Sequence, residues 1–408
     1  MDWSDTAEQS AFRRDVRSFV EGHLPEFYRR RAAEGRDGGW EGGWRADRVA
    51  SDAERSNAAQ AWAAALASRG WVAPHWPVEY GGAGMSSIEQ AVLSHELSEA
   101  GAPPGVGGSG VMMLGPTLIA HGTPEQRAKY LPAILAGEVS WAQGYSEPGA
   151  GSDLGSLQTR AVRDGDEYVV NGQKIWTSGA HHADSIFALV RTDQGAPKHR
   201  GISFLLIDDI HTPGITIRPL INMAWEHGFN ETFFEDVRVP VNVVGEENRG
   251  WYVAMTLLDY ERSSIGGAVA IQREIERLIA YSRSAAGKSR TSLNGARRTE
   301  VTDRYIEAAV GQNLSLRIVS MQAQGLIPNY EASMGKLFLT ELMQRSARTG
   351  IKVLGLYANI WDEDDSWTPL HAYFTHRLLS TIPFTIGGGT SEVQRNIIAT
   401  RGLGLPRG

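Results

Sequence analysis

The sequence predicts an α+β protein in which helical blocks flank a block of strands. Three observations predict it. Apolar residues recur at helical spacing through residues 1–139, apolar runs of strand length fill 140–245, and helical spacing returns over 246–408. These ranges are the expected domains, and 408 residues is a length for about two or three of them.

In the first block DTAEQSAFRRDVRSFVEGHL, NAAQAWAAALASRG, IEQAVLSHELSEA and TPEQRAKYLPAILAG read as helices. Thr123-Pro124-Glu125 is a start signal, a capping hydroxyl followed by proline in the first turn. GRDGGWEGGWRADR (35–48) reads as a Gly/Trp-rich loop. In the middle block WAQGYSE, EYVVNGQKIWT, SIFALVRT, GISFLLID, GITIRPL and NETFFEDVRVP read as strands, with a hairpin turn at Asp164-Gly165-Asp166 between the first two. This reading ends one strand at Tyr145 and Ser146 and places Trp176, Thr177 and Ser178 on the next. In the last block one long helix is expected from Gly250 to about Arg283, followed by the polar stretch GKSRTSLNGARRTEVTDR.

Composition narrows the function. A net charge of −7 argues against nucleic acid or an anionic membrane as partner. No run approaches the roughly 18 apolar residues of a membrane span. The acidic, polar start MDWSDTAEQ reads as neither a signal nor a transit peptide. Without cysteine there are no disulfides, thiolate metal sites or cysteine nucleophile. Together these favour a cytoplasmic protein.

The most informative stretch is GYSEPGAGSDLGS (144–156), followed by NGQKIWTSG (171–179). Glycines let backbone N–H groups approach an anion, serines add donors, and a tryptophan offers a flat surface to a cofactor ring. A tight turn packed on a core tryptophan is the plainer alternative. Gly105, Gly107 and Gly110 match G-x-G-x-x-G but follow a helical segment and Pro103-Pro104, so the strand a dinucleotide fingerprint needs is missing. His181 and His182 read as a polar strand edge, with side chains on opposite faces, and no metal is expected. Asp362-Glu363-Asp364-Asp365 reads as a solvated loop.

Glu261 stands out on the long helix. Trp251, Ala254, Leu258, Glu261, Ile265, Ala268, Ile271, Ile275 and Leu278 form one stripe, and every other member is apolar. A carboxyl on such a stripe is costly unless paired or protonated. Burial raises a carboxyl's proton affinity toward what a general base at neutral pH requires. An ion pair with Arg262 is the structural alternative. The segment TIGGGTSEVQRNII (385–398) sets three glycines before Thr390 at a helix start, a backbone that a ligand can approach.

In order along the chain, GWVAPHWPVEYGGAGMS, GTPEQRAKYLPAILAGE, SEPGAGSD, NGQKIWTSGA, FFEDVRVP and GTSEVQRNIIATRGLG resemble signatures of the acyl-CoA dehydrogenase family. The resemblance spans nearly the whole chain. It implies a helical domain, a β-barrel-like middle domain and a C-terminal four-helix bundle, with FAD as cofactor. It implies that Gln143, Tyr145 and Ser146 line the flavin, that Trp176 stacks near its ring system, and that Ser178 bonds near its reactive edge. Thr390 and Glu392 would contact the cofactor, and Ser152 the CoA portion of the substrate. The implied reaction is α,β-dehydrogenation of an acyl-CoA, with electrons leaving to an electron-transfer flavoprotein.

The chain departs from the family pattern in three places. Most members carry the base immediately before the G-T of the C-terminal motif, where this chain has Gly388, whose N–H remains able to polarise a substrate carbonyl. The isovaleryl and long-chain types instead place it in L-D-x-E-R, and here Leu258-Asp259-Tyr260-Glu261-Arg262 matches. Glu261 is therefore the expected base, with Arg262 at the substrate. The family's R-x-x-F-G, which reaches a neighbour's cofactor, reads Arg283-Ser284-Ala285-Ala286-Gly287, and its Q-x-x-G-G reads Lys352-Val353-Leu354-Gly355-Leu356. Poor contacts offered to a neighbour suit a heterotetramer of unlike subunits as well as a homotetramer. TIGGGTSEVQRNIIATRGLGLP resembles actinobacterial members that act on steroid side chains as such heteromers. Two other functions are carried: a non-catalytic subunit of a heteromeric dehydrogenase, and a flavin monooxygenase or oxidase on the same scaffold.

Overall fold

The computed structural model describes residues 5–34, 43–103, 105–261, 267–324, 326 and 328–406, with side chains throughout except at 256–261. Helices run over Ala7–His23 (α1), Glu26–Ala33 (α2), Gly43–Arg48 (α3), Ala53–Ala67 (α4), Ser87–Glu99 (α5), Gly115–His121 (α6) and Pro124–Leu135 (α7). Strands follow at Trp141–Gly144 (β1), Arg160–Asp164 (β2), Glu167–Lys174 (β3), Ser185–Arg191 (β4), Ile202–Ile207 (β5), Ile215–Leu220 (β6) and Phe229–Pro240 (β7). The C-terminal helices are Gly250–Glu261 (α8), Gly267–Arg283 (α9), Ala285–Arg290 (α10), Gly295–Ala323 (α11), Tyr330–Leu354 (α12), Tyr373–Ser380 (α13) and Ser391–Ile397 (α14). The expected order of helices, strands and helices is present.

The chain divides into two compact units. One comprises Gly39–Met85 and Pro104–Glu261, the other Met1–Gly38, Ser86–Pro103 and Arg262–Gly408. The first is built on a seven-stranded sheet, a curled half-barrel in the order β1-β4-β2-β3-β7-β6, with β5 pairing β4. β4 runs parallel to β1 and antiparallel to β5, and β3 is antiparallel to both β2 and β7. Every residue of β4 and β5 is buried, including Ser185, Ser203 and Arg191, as the largely apolar stretches 186–190 and 204–207 lead one to expect. α8 starts against β5, where a Cβ at Gly250 would lie 2.3 Å from the Phe204 nitrogen. Only glycine fits that approach.

Three local readings are corrected. β2 was absent from the expected strands, and the hairpin turn links it to β3, with Asp164 opposite Glu167. β3 ends at Lys174, so Trp176, Thr177 and Ser178 lie in the loop beyond it, and Trp176 sits in the left-handed region at φ of 61°. Gly43–Arg48 is helical, with Trp44 buried and its indole N–H donating to the Ala59 carbonyl at 3.2 Å, while 35–42 lie outside the described residues. The polar stretch after Arg283, to which the sequence assigns no element, is mostly helix, in α10 and the start of α11. The long helix expected from Gly250 is described as α8 and α9, and 262–266 lie outside the described residues.

The second unit is helical. α12 packs on α11, α9, α13 and α14, and α5 packs on α1, α9 and α11. Its core includes Ala268, Ile271, Ile275 and Leu278 of the stripe, with Val301, Leu342 and Phe374. Gly350 admits the Phe374 ring, whose Cδ1 would sit 2.1 Å from a Cβ there. Among the described residues no helix is long and apolar enough to cross a membrane.

Candidate active site

The Ser146–Asp153 loop is organised by a buried ion pair. Lys174, fully buried at the end of β3, donates to the Glu147 carboxylate at 2.8 Å and to the Tyr145 carbonyl at 3.1 Å. Glu147 also accepts from the backbone N–H groups of Gln158 at 2.6 Å and Thr159 at 2.8 Å. Burial pushes the Lys174 ammonium down to about 8, with Glu147 pulling the other way. The Glu147 carboxyl is held below the usual range: burial raises it, but the Lys174 charge and the donated hydrogen bonds outweigh that. A cleft of about 540 Å³ opens beside this pair, lined by Glu147, Pro148, Gly149, Gln158, Thr159 and Gly172 among others. Buried Arg191 holds the neighbouring segment, donating to the carbonyls of Gly155 (2.9 Å) and Leu157 (3.1 Å).

The loop after β3 is tied to the first. Ile175 N–H donates to the Ser146 carbonyl at 2.9 Å, which brings Ser146 beside Trp176. Fully buried Asn230 of β7 holds the next turn: Thr177 N–H donates to its carbonyl, and its side-chain amide donates to the Thr177 carbonyl, each at 3.0 Å. Trp176 is therefore fixed in a left-handed conformation with its indole 57% exposed, standing edge-on to Phe229. The plainer reading, a turn packed on a core tryptophan, fails on that exposure. Tyr145 is buried, Gln143 and Ser146 are half-buried, and Ser152 and Ser178 are exposed. A Cβ at Gly149 or Gly151 would meet nothing within 4 Å. An exposed indole, free hydroxyls and open glycine backbone fit a planar cofactor bearing phosphates.

In the helical unit, Thr390 caps α14 by accepting from Val393 N–H at 3.2 Å. Glu392 sits exposed in that first turn, its carboxyl held low by its own backbone N–H and the Thr390 hydroxyl. Gly388 and Gly389, at φ of 65° and 92°, are pinned through their carbonyls by buried Gln394, and Gly389 also by Lys336. Gly388, Thr390 and Glu392 thus share one loop. Arg283 closes α9, exposed, on a separate element. Glu261 is the last residue of α8; its side chain, and all of Arg262, lie outside the described residues.

Three features escaped the sequence. The Lys174–Glu147 pair joins distant segments whose charges look like surface charges. Glu274 of α9 is buried, bound by Tyr373 Oη at 2.6 Å and Arg377 at 2.7 Å. His181 and His182 lie on a helical turn rather than a strand edge, with their rings tilted against each other and His227 stacked on His181. His181 lies 3.9 Å from His182 and 3.7 Å from His227, with its Nδ1 3.0 Å from the Asn230 amide. Burial, then the neighbouring imidazoles, push His181 down to about 4. Period-2 reasoning could not find this, because a glycine at φ of 63° (Gly179) turns the chain first.

A sheet unit with an open glycine loop beside an exposed tryptophan, together with a helical unit, suits an enzyme that holds a planar, phosphate-bearing cofactor. Three family models place the chain: the acyl-CoA dehydrogenase N-terminal domain over residues 6–138, the middle domain over 142–237 and the C-terminal domain over 248–403. The chain belongs to the acyl-CoA dehydrogenase family and is an FAD-dependent oxidoreductase. It is 37% identical to acyl-CoA dehydrogenase IpdE1 of Mycobacterium tuberculosis, over 85% of this chain and 88% of the relative. A solved structure described as the Tcur3481-Tcur3483 steroid ACAD is similar at 36% identity and TM-score 0.84, covering 100% of both chains. The ChsE4-ChsE5 complex from Mycobacterium tuberculosis is similar at 34% identity and TM-score 0.80, over 100% of both chains.

Lys174→Met, which leaves the Glu147 carboxylate buried without its cation, is expected to lower stability by about 3–5 kcal/mol in urea unfolding. Adding Glu147→Gln should recover part of that loss, and additive effects would show that the pair is not coupled.

His181 takes up its proton more readily when unfolded (near 6.5) than when folded (about 4). The unfolded chain therefore binds more protons in that window, and stability should fall as pH drops from about 6.5 to 4. His181→Phe, which keeps the stack, should flatten the pH dependence of the urea midpoint across that range.

Proposed function

We propose that this chain oxidises a bulky branched or steroid side-chain acyl-CoA to the trans-2-enoyl-CoA. The observation that carries this reading is the pair of loops clamped by Lys174–Glu147 and Ile175–Ser146. They hold an exposed Trp176 and Ser178 beside an open glycine backbone, in a chain of this family that retains Leu258-Asp259-Tyr260-Glu261-Arg262. Gln143, Tyr145, Ser146, Trp176, Ser178, Arg283, Thr390 and Glu392 hold FAD, and Ser152, Arg262 and Gly388 hold the substrate. FAD, when bound, supplies the acceptor for the β-hydrogen and its electron pair. Glu261 takes the α-proton, and the Gly388 N–H polarises the thioester carbonyl and so acidifies that proton. The electrons pass on to an electron-transfer flavoprotein. The similar steroid dehydrogenase structure supports a bulky acyl group, as do Ile221, Met223 and Trp225, exposed apolar residues on the loop into β7.

Assembly with a related subunit is the second part of the proposal. Ala286, Lys352 and Leu356 replace residues that family members present to a neighbour's cofactor. Lys352 is engaged with Glu300 at 2.8 Å, and Leu356 stands 86% exposed beside Gly355, which has open space around it. Two similar structures, the Tcur3481-Tcur3483 steroid ACAD and the ChsE4-ChsE5 complex, each join two differently named chains.

Glu261→Gln should slow reductive bleaching of the flavin by acyl-CoA about 10²–10⁴-fold while the flavin absorbance of the purified protein stays unchanged. Residual turnover near the unmodified rate would remove Glu261 as the base, and oxygen uptake in place of acceptor reduction would favour the oxidase alternative.

Co-expression with neighbouring dehydrogenase-like reading frames should raise both flavin content and activity over the chain purified alone. Full flavin occupancy and activity of the lone chain would refute an obligate partner. In a reconstituted complex, activity that survives Glu261→Gln in this subunit would assign the chemistry to the other one.

A further inference from the structure

Arg45 of α3 is a half-buried cation with no carboxylate partner among the described residues. Its Nη1 donates to the Ser178 carbonyl at 3.0 Å and its Nη2 to the Ser109 hydroxyl at 3.2 Å. A guanidinium has more donors than these two acceptors use. Neighbouring arginines are neutralised: Arg48 pairs with Asp184 at 2.5 Å and Arg55 with Asp47 at 2.6 Å. Burial and the Arg48 charge work against the Arg45 cation. Leaving a partly desolvated cation unpaired is unfavourable unless something else supplies the anion.

The chain is shaped around this group by two glycines in left-handed conformations. A Cβ at Gly108 (φ 87°) would lie 2.4 Å from Nη2, and one at Gly179 (φ 63°) would lie 2.8 Å from Nη1. Any side chain at either position would displace the guanidinium. The turn that begins at Gly179 carries His181 and His182, and His227 stacks on His181. Arg45 is close enough to depress the proton affinity of both His181 and His182. All of these groups lie within the sheet-bearing unit.

We propose that Arg45, with His181 and His182, forms an oxyanion-binding subsite beside the Ser178 carbonyl that receives a carboxylate or phosphate group of the ligand. Arg45 provides the fixed charge and the fork of donors. The imidazoles provide a reserve: an anion held against them favours their protonated form, so binding draws in a proton. The charged groups around the stack are Arg45, Arg48 with Asp184, Arg55 with Asp47, and the three imidazoles themselves. An acyl-CoA offers the anion from two sources, a CoA phosphate or a carboxylate on the acyl portion. That choice of sources rests on the acyl-CoA reading, whereas the subsite does not.

The test is calorimetric titration of the full-length protein at pH 6 with succinate, inorganic phosphate and adenosine 3′,5′-bisphosphate, in two buffers of different ionisation heat. The unmodified protein should bind at least one of these anions with net proton uptake. Arg45→Gln should weaken binding at least tenfold, Arg45→Lys should restore part of it, and His181→Phe should bind with reduced proton uptake. Binding of succinate alone identifies an acyl carboxylate as the natural group. Competition by the adenosine bisphosphate identifies the CoA phosphate. No binding by the unmodified protein, or equal binding by Arg45→Gln, overturns the proposal and leaves Arg45 as a strap between α3 and the Ser178 loop. Should Arg45→Gln fail to fold, the proton uptake of unmodified protein against His181→Phe still decides. None of these readings needs turnover or bound flavin, so they fail independently of the proposed reaction.

Discussion

The Lys174–Glu147 ion pair is the constraint on which the site-bearing part of the sheet unit depends. A lysine with no solvent exposure persists only where its charge is met in full, and here one carboxylate and one carbonyl meet it. The same carboxylate takes two backbone N–H groups from the segment entering β2. One anion therefore sets three things together: the exit of β1, the start of β2 and the end of β3. The glycines between Pro148 and Gly155 can stay open because they carry none of this load. The loop's rigidity comes from its two ends.

A second tier hangs on that frame. Because β3 ends at a fixed lysine, the next residue is placed to bond Ser146, and the one after it is driven into a left-handed conformation. A tryptophan held there with much of its indole in water is both strained and poorly solvated. Asn230 prevents relaxation by bonding Thr177 in both directions. Strain of this kind concentrates where backbone geometry serves a ligand. Trp176 and Ser178 are presented by the fold, not merely left on its surface.

Much of this was legible in the sequence. β4 and β5 carry the apolar stretches 186–190 and 204–207 because both faces are covered, and their strand length with flanking turn residues favours strand over helix. The stripe residues Ala254, Ala268, Ile271, Ile275 and Leu278 are buried as helical periodicity demands. β2 was missed because Arg160, Val162, Arg163 and Asp164 face solvent, leaving Ala161 as its only buried residue. Trp176 was placed on a strand because apolar character carries no information about the sign of φ. The charged residues that order the site were invisible for a related reason. Lys174, Glu147, Arg191 and Arg45 look like surface residues until tertiary contacts remove their water. Local pattern records which positions are apolar, but not which polar positions have found partners.

Those buried charges also qualify what net charge implies. The chain as a whole carries −7, which disfavours polyanionic partners. At the two site loops not every cation is offset by a carboxylate. Glu147 neutralises Lys174, Arg191 is held by carbonyls, and Arg45 by a carbonyl and a hydroxyl, so that among the described residues neither arginine has a carboxylate partner. Carbonyl dipoles can hold a guanidinium in place, but they do not cancel its field. A fold that pairs Arg48 and Arg55 with nearby aspartates, yet holds Arg45 and Arg191 by carbonyls and a hydroxyl, keeps two positive charges against the backbone of Ser178 and of Gly155 and Leu157. A ligand with several anionic groups would be drawn to that region against the repulsion of the molecule's overall charge, and because partly buried charges are weakly screened, that attraction would persist at physiological salt.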